Sequence, residues 1–227
     1  MKKYAIKYYW DCSLRGGSME IGREEFQKLL ELKMTPNNLN LVMDAYNFAK
    51  RGHATQKRDG GERYFEHPKR VALIFIRELG IYDYEMIIAA LLHDVVEDTY
   101  LFGSQDVAFE SIQRHFTKRA AELVHFVTKQ KVPTEQKDDR DRCYFERIQH
   151  AAKEPKLIKL ADRLDNIRDF NSWIPERKLR YAEETEMYCL PIARNIISEL
   201  SQPMANRMQG LYNEMLNICR QIKQDAT

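Results

Sequence analysis

Cysteine, glycine, proline, unbroken apolar sequence and charge of one sign are all in short supply. The 227 residues include four cysteines, Cys12, Cys143, Cys189 and Cys219, at least 30 positions apart and without a C-x-x-C pair. That spacing offers no disulfide framework, and reduced, packing thiols are expected. Nine glycines and seven prolines, beside 44% hydrophobic and 31% charged residues, exclude disorder and collagen-like order. No stretch approaches ~18 uncharged apolar residues, and the N-terminal MKKYAIKYYWDCSLRGG is interrupted by Lys7 and Asp11 before a signal-peptide core could form. A cytoplasmic protein with no membrane partner is expected. Lysine and arginine number 36 against 34 acidic residues, a net charge of +2, which argues against a general nucleic-acid binder.

What is present is helical periodicity. The length suits one large domain with appendages and leaves little room for a second catalytic module. Residues 1–35 read as an N-terminal appendage of unassigned role, broken at Arg15, Gly16, Gly17 and Ser18, with Tyr8, Tyr9 and Trp10 as a loosely docked tail. From Pro36 onward apolar residues recur every three to four positions, beginning with Leu39, Val42, Ala45, Tyr46 and Ala49. Further helices are expected from Pro68 to Gly80, from about Asp83 to Glu97, over roughly 105–116 and 118–130, from Thr134 to Ala152 and from Lys156 to Phe170. Pro175 opens a long one to about Leu200, and a last helix covers 201–227, packed on the domain. No window alternates in the strand manner and no 20-to-50-residue repeat is visible. The fold expected is all-α, a helical bundle over 36–200 around a metal site.

Chemistry concentrates in AALLHDVVEDT, residues 89–99. At about 100° per residue, with His93 at zero, Asp94, Glu97 and Asp98 fall at roughly 100°, 40° and 140° and the leucines and valines on the other face. Three acids in one arc repel one another, so a cationic group should offset them. Taken alone, an acidic helix face with a stray histidine would account for this segment. A second helix, KLIKLADRLDNIRD, packs Leu157, Leu160, Ala161, Leu164 and Ile167 on one side and projects Asp162, Asp165, Asn166 and Asp169 from the other. With His67 from the loop before Pro68, the two helices supply a mixed imidazole and carboxylate shell suited to a divalent transition metal. Such a shell leaves positions open on an octahedral ion, a hydrolase arrangement. Mn²⁺ tolerates oxygen-rich octahedral sites more readily than Zn²⁺, although spacing leaves Mn, Fe, Co and Mg open.

HATQKRDGGERYFEHPKRVA, then AALLHDVVEDT, then KLIKLADRLDNIRD resembles the HD-type hydrolase domain of the RelA/SpoT family, including its stand-alone small alarmone hydrolases of the Mesh1 type, over roughly residues 40–200. The resemblance implies that His67, His93, Asp94 and Asp162 hold Mn²⁺ and that Glu97 and Asp98 orient and deprotonate the attacking water. It implies removal of the 3′-pyrophosphate of (p)ppGpp, a small-molecule nucleotide partner, to give GDP or GTP and pyrophosphate. It also implies that Arg58 packs against the guanine base, that Asn166 contacts the nucleoside, and that Arg177 with Tyr181 meets substrate phosphate or ribose. Tyr64 fits a pre-histidine aromatic that shapes the pocket wall.

Several positions depart from the family pattern. Arg63 replaces a usual proline, Asp59 stands where lysine is frequent, Asp165 occupies a position often held by histidine or tyrosine, and Asp169 is threonine in many long members. These departures leave base preference and 5′-phosphate number open. Lys159, Arg163 and Arg168 either add positive charge near the site or pair with neighbouring acids. His53 reads as a helix cap or packing group, and His115, His125 and His150 as surface residues. The residues after Arg194 are too few for a synthetase domain. Rival activities are hydrolysis of ppApp-type alarmones, removal of the NADPH 2′-phosphate and removal of pyrophosphate from tRNA ends as an antitoxin. Nothing in the sequence supports tRNA or a toxin synthetase as a partner. The non-enzymatic rival is a nucleotide-sensing module, against which the Glu97 and Asp98 pair argues.

Overall fold

The computed structural model describes residues 21–99, 101 and 104–226. Those residues form twelve α-helices: α1 (Arg23–Lys28), α2 (Pro36–Gly52), α3 (Glu66–Leu73), α4 (Tyr84–Leu92), α5 (Val95–Asp98), α6 (Gln105–His115), α7 (Lys118–Val127), α8 (Lys137–Gln149), α9 (Lys153–Arg168), α10 (Pro175–Glu184), α11 (Leu190–Glu199) and α12 (Gln202–Asp225). Among the described residues there is no strand; one isolated antiparallel bridge joins Lys57 to Arg63. It closes the loop whose turn needs Gly61 in the left-handed region, φ 85°. No helix among the described residues is long and apolar enough to cross a membrane.

The core is built around α4. Asp83 caps it by accepting from the Glu85 and Met86 N–H groups, and Met86 through Leu92 are all buried. A helix apolar on every side must be wrapped, and α2, α3, α7 and α9 pack against it. Two rods are not plain α-helix. α3 continues as a π-helix over Ile74–Leu79 and stops at left-handed Gly80. The rod expected from Pro175 to Leu200 carries a π turn at Thr185–Cys189, just before Pro191, which has no N–H to give the preceding turn.

The helix expected from Asp83 to Glu97 is not continuous. His93 Nδ1 bonds the Ala90 carbonyl at 2.8 Å, the acceptor that the Asp94 N–H would use in an unbroken helix. The side chain competes for that carbonyl, and a turn at His93 and Asp94 separates α4 from α5. The segment expected as an appendage over 1–35 is also corrected in part, because Phe26 and Leu30 are fully buried in the core. Tyr8, Tyr9, Trp10 and Cys12 lie outside the described residues. Cys189 and Cys219 are buried thiols and Cys143 is exposed.

Candidate metal centre

Four helical segments deliver the site. His67 stands in the first turn of α3, where Pro68 is tolerated because first-turn N–H groups have no acceptor within the helix. His93 and Asp94 form the turn after α4, Glu97 and Asp98 belong to α5, and Asp162 lies midway along α9. His67 Nε2 lies 3.2 Å from Asp162 Oδ1 and 3.4 Å from Asp94 Oδ2. His93 Nε2 lies 3.1 Å from Asp94 Oδ1 and 3.8 Å from Asp162 Oδ1. Ligand atoms of His67, His93 and Asp162 fall within 4.8 Å of one another, and the Asp94 carboxylate sits against both imidazoles.

One atom tests whether a cation fits. His93 gives its Nδ1–H to the Ala90 carbonyl, and its Nε2 is buried without a hydrogen-bond partner. Buried polar atoms are rarely left so. An imidazole nitrogen with its other nitrogen engaged, facing carboxylate oxygens, is the normal state of a metal ligand. Two nitrogens and two carboxylates form a set that Zn, Mn, Fe or Co accepts.

The electrostatics agree. Burial works against charge on His93, yet the Asp94 and Asp162 carboxylates raise its pKa to about 10. His67 is also raised despite burial, by hydrogen bonds to Asp162 and Asp165. Burial would raise Asp162, but Lys159, His67 and His93 hold it well below the usual carboxylate range. Lys159 Nζ donates to Asp162 Oδ2 at 2.6 Å. Protons on the imidazoles therefore balance the acids without a cation, and a divalent ion would displace them.

Beside the cluster lies a cavity of 190 Å³ lined by Tyr64, Glu97, Asp98, Lys129, Tyr144, Asn166 and Tyr181 together with His93, Asp94 and Asp162. The Lys129 backbone N–H donates to Glu97 Oε1. Burial first, then the Asp94 charge, push the Glu97 carboxyl up to about 7, and the same two causes raise Asp98. Tyr64 Oη donates to Asp98 Oδ2 at 2.7 Å and lies 3.0 Å from Asp94 Oδ2. Its ring stacks on His53, centroids 4.6 Å apart. His53 follows the end of α2, bonds Gln56 and lies outside the ligand trio. His115, His125 and His150 are exposed.

The other residues singled out in the sequence spread outward from this cavity. Asn166 Nδ2 donates to Asp162 Oδ1 at 2.6 Å, and Arg58 donates to Asn166 at 2.8 Å and to Asp169 at 2.7 Å. Tyr181 lines the cavity wall. Arg177 sits farther out, 3.9 Å above the Trp173 ring and paired with Asp59 at 2.5 Å. Arg168 is bound by Glu78 and Glu214.

An HD-domain family profile matches residues 45–194. The chain belongs to the HD-domain family. Among relatives of this HD domain, the guanosine-3′,5′-bis(diphosphate) 3′-pyrophosphohydrolase MESH1 of Xenopus tropicalis is 41% identical over 138 residues, covering 60% of this chain and 73% of that protein. The guanosine-3′,5′-bis(diphosphate) 3′-pyrophosphohydrolase of Aquifex aeolicus is 39% identical over 176 residues, covering 76% of this chain and 24% of that protein. A solved structure of a metazoan ortholog of SpoT, described as hydrolysing ppGpp, superimposes with a TM-score of 0.63 at 29% identity, covering 77% of this chain and 94% of that one.

Sequence reasoning missed Lys129 and Tyr144, which line the same cavity as the acids. Neither lies in a motif, and the segment that carries them has no spacing that points to the site. Lys159 did carry a signal, three residues before Asp162 on the same helix.

Proposed function

We propose that this HD-domain protein is a divalent-cation-dependent hydrolase, with Mn²⁺ as its ion, that removes the 3′-pyrophosphate of (p)ppGpp to give GDP or GTP and pyrophosphate. The observation that carries the reading is the convergence of the His67 and His93 Nε2 atoms on Asp94 and Asp162 at the side of a cavity that also holds Glu97 and Asp98. The relatives' activity, in MESH1-type proteins of which this chain spans 73% of the length, supports the choice of substrate.

His67, His93, Asp94 and Asp162 would hold the ion. A bound divalent cation would neutralise charge growing on the phosphoryl oxygens and acidify a neighbouring water. Glu97, its pKa pushed up to about 7, is matched to accepting a proton from that water near neutral pH. Asp98, fixed by the Tyr64 hydroxyl, orients it. The water oxygen bonds to the phosphorus attached to ribose O3′, the P–O3′ bond breaks, and O3′ ends protonated. Asn166 and Tyr181 form the wall met by the nucleoside, and Arg58, braced by Asp169, offers a flat cation to the base.

Incubation of the Mn²⁺-loaded protein with ppGpp, ppApp and NADPH, with products resolved by ion exchange, tests the reading. Pyrophosphate release from ppGpp, lost in Glu97→Gln and Asp98→Asn, is the expected result. Turnover of NADPH or ppApp alone replaces the substrate. Binding of ppGpp without any product makes the protein a sensor.

A further inference from the structure

The two imidazoles at the centre are not equivalent. His93 is backed by a neutral backbone carbonyl. His67 is backed by a carboxylate: its Nδ1 lies 2.6 Å from Asp165 Oδ2, and the Asp165 side chain is only 2% exposed. An ionised carboxylate only accepts hydrogen bonds, so Nδ1 keeps its proton, and Nε2, which faces Asp94 and Asp162, is the nitrogen whose proton a cation would displace. The other oxygen of Asp165 accepts from Arg70 Nε at 2.7 Å. Arg70 is itself held by two 2.7 Å bonds from Nη1 to Glu62. Asp165 thus has no freedom to swing away, and the line runs unbroken from Glu62 in the glycine loop to the imidazole.

We propose that Asp165, clamped by Arg70, is the positioning residue that sets the tautomer and orientation of His67 and strengthens its grip on the cation. This position is one where the resemblance puts histidine or tyrosine, neither of which brings a carboxylate. The carboxylate–imidazole–cation arrangement is therefore a property of this chain's own residues. A carboxylate behind a ligating imidazole raises its basicity, and losing such a partner costs about 10- to 100-fold in metal affinity. The competing explanation is that Asp165 serves only to neutralise a half-buried arginine, in which case its loss would lower stability and leave cation affinity alone.

The inference rests on His67 being a cation ligand, as proposed above, and the experiment separates the two. The full chain is stripped with a chelator and titrated with Mn²⁺ by calorimetry, beside Asp165→Asn and Arg70→Met, each checked by circular dichroism to be folded at the temperature used. One Mn²⁺ per wild-type chain sustains the metal reading, and no binding by the wild type overturns both. With wild-type binding in place, Asp165→Asn is expected to bind about 10- to 100-fold more weakly. Arg70→Met, a half-exposed position less exposed to misfolding, is expected to weaken binding in the same direction and by less. Unchanged Mn²⁺ affinity in both folded variants overturns the role given to Asp165, whatever happens to their melting temperatures.

Discussion

Glu97 and His93 are each held away from their ordinary pKa by groups a few ångströms away, and each shift has a measurable consequence. Glu97 must be ionised to accept a proton, so turnover should rise with pH along an acidic limb. Burial is the larger cause of the upward shift to about 7 and the Asp94 charge the second. A cation bound to Asp94 cancels the second cause, which places the limb of the loaded enzyme below 7. Glu97→Gln should lose turnover by on the order of 10²- to 10⁴-fold while keeping Mn²⁺ affinity, as single-turnover kinetics and calorimetry would show. His93 shifts the other way in its effect on stability. Its folded pKa of about 10 exceeds the ordinary 6.5, so in chelated protein its contribution is complete below pH 6.5 and drains away as pH rises toward 10. Melting temperature in chelator should fall across that window, and His93→Gln should flatten the fall. Mn²⁺ added at pH 7 to 8 should release protons, measurable with a pH indicator.

At the level of elements, helical periodicity showed from Pro36 onward where most of the helices lie, but neither α1 nor how one helix end is spent on chemistry. The 89–99 segment reads as one amphipathic helix because its apolar residues keep a single face. The break at His93 comes from a side-chain bond to Ala90 that periodicity does not encode. Arg163 is the parallel case on α9. Its sequence position next to Asp162 suggests charge for the site, yet its side chain is 1% exposed. Its guanidinium lies 3.8 Å from the Tyr181 ring centroid and donates to Glu184 at 2.5 Å. The partner is 21 residues away, at the end of α10, a distance at which no local pattern reports the contact. Arg163→Met should cost about 3 kcal/mol, the low end for breaking a buried pair, because Glu184 keeps some solvent. It should also raise KM more than it lowers kcat, since Tyr181 loses the plate it rests on. Urea unfolding and steady-state kinetics read the two effects, and a stability loss with KM unchanged would detach Arg163 from the substrate wall.

Across the whole molecule, the motif residues were legible because they crowd ionisable groups onto otherwise apolar helices. Asp165 was legible as one of the acids on the site-facing side of its helix, but its partner Arg70 and the cavity residues Lys129 and Tyr144 were legible only as unassigned charges and rings. The packing of residues 21–30 was hidden for a related reason: a short amphipathic helix before a long one looks detachable until its partners are known. Phe26 is fully buried and its ring lies 5.2 Å from Tyr46, which in turn meets Phe65 at 4.7 Å. Phe65 precedes His67 by two residues, so this aromatic column runs from α1 to the residue next but one to the first proposed metal ligand. Lys69, on α3, adds a bond to the Ile21 carbonyl at 3.0 Å. Because the column is part of the core, Phe26→Ala should destabilise the protein by about 3–5 kcal/mol, the usual cost of emptying a buried phenylalanine site. A cost below about 1 kcal/mol in urea unfolding would be that of a surface substitution, and would return residues 21–30 to the status of an appendage. The contact with Phe65 also gives the loss a direction. Phe65 immediately precedes α3, whose first turn carries His67, so Mn²⁺ affinity in the folded variant should weaken along with stability, whereas an equally costly cavity in α12, such as Met215→Ala, should leave it unchanged.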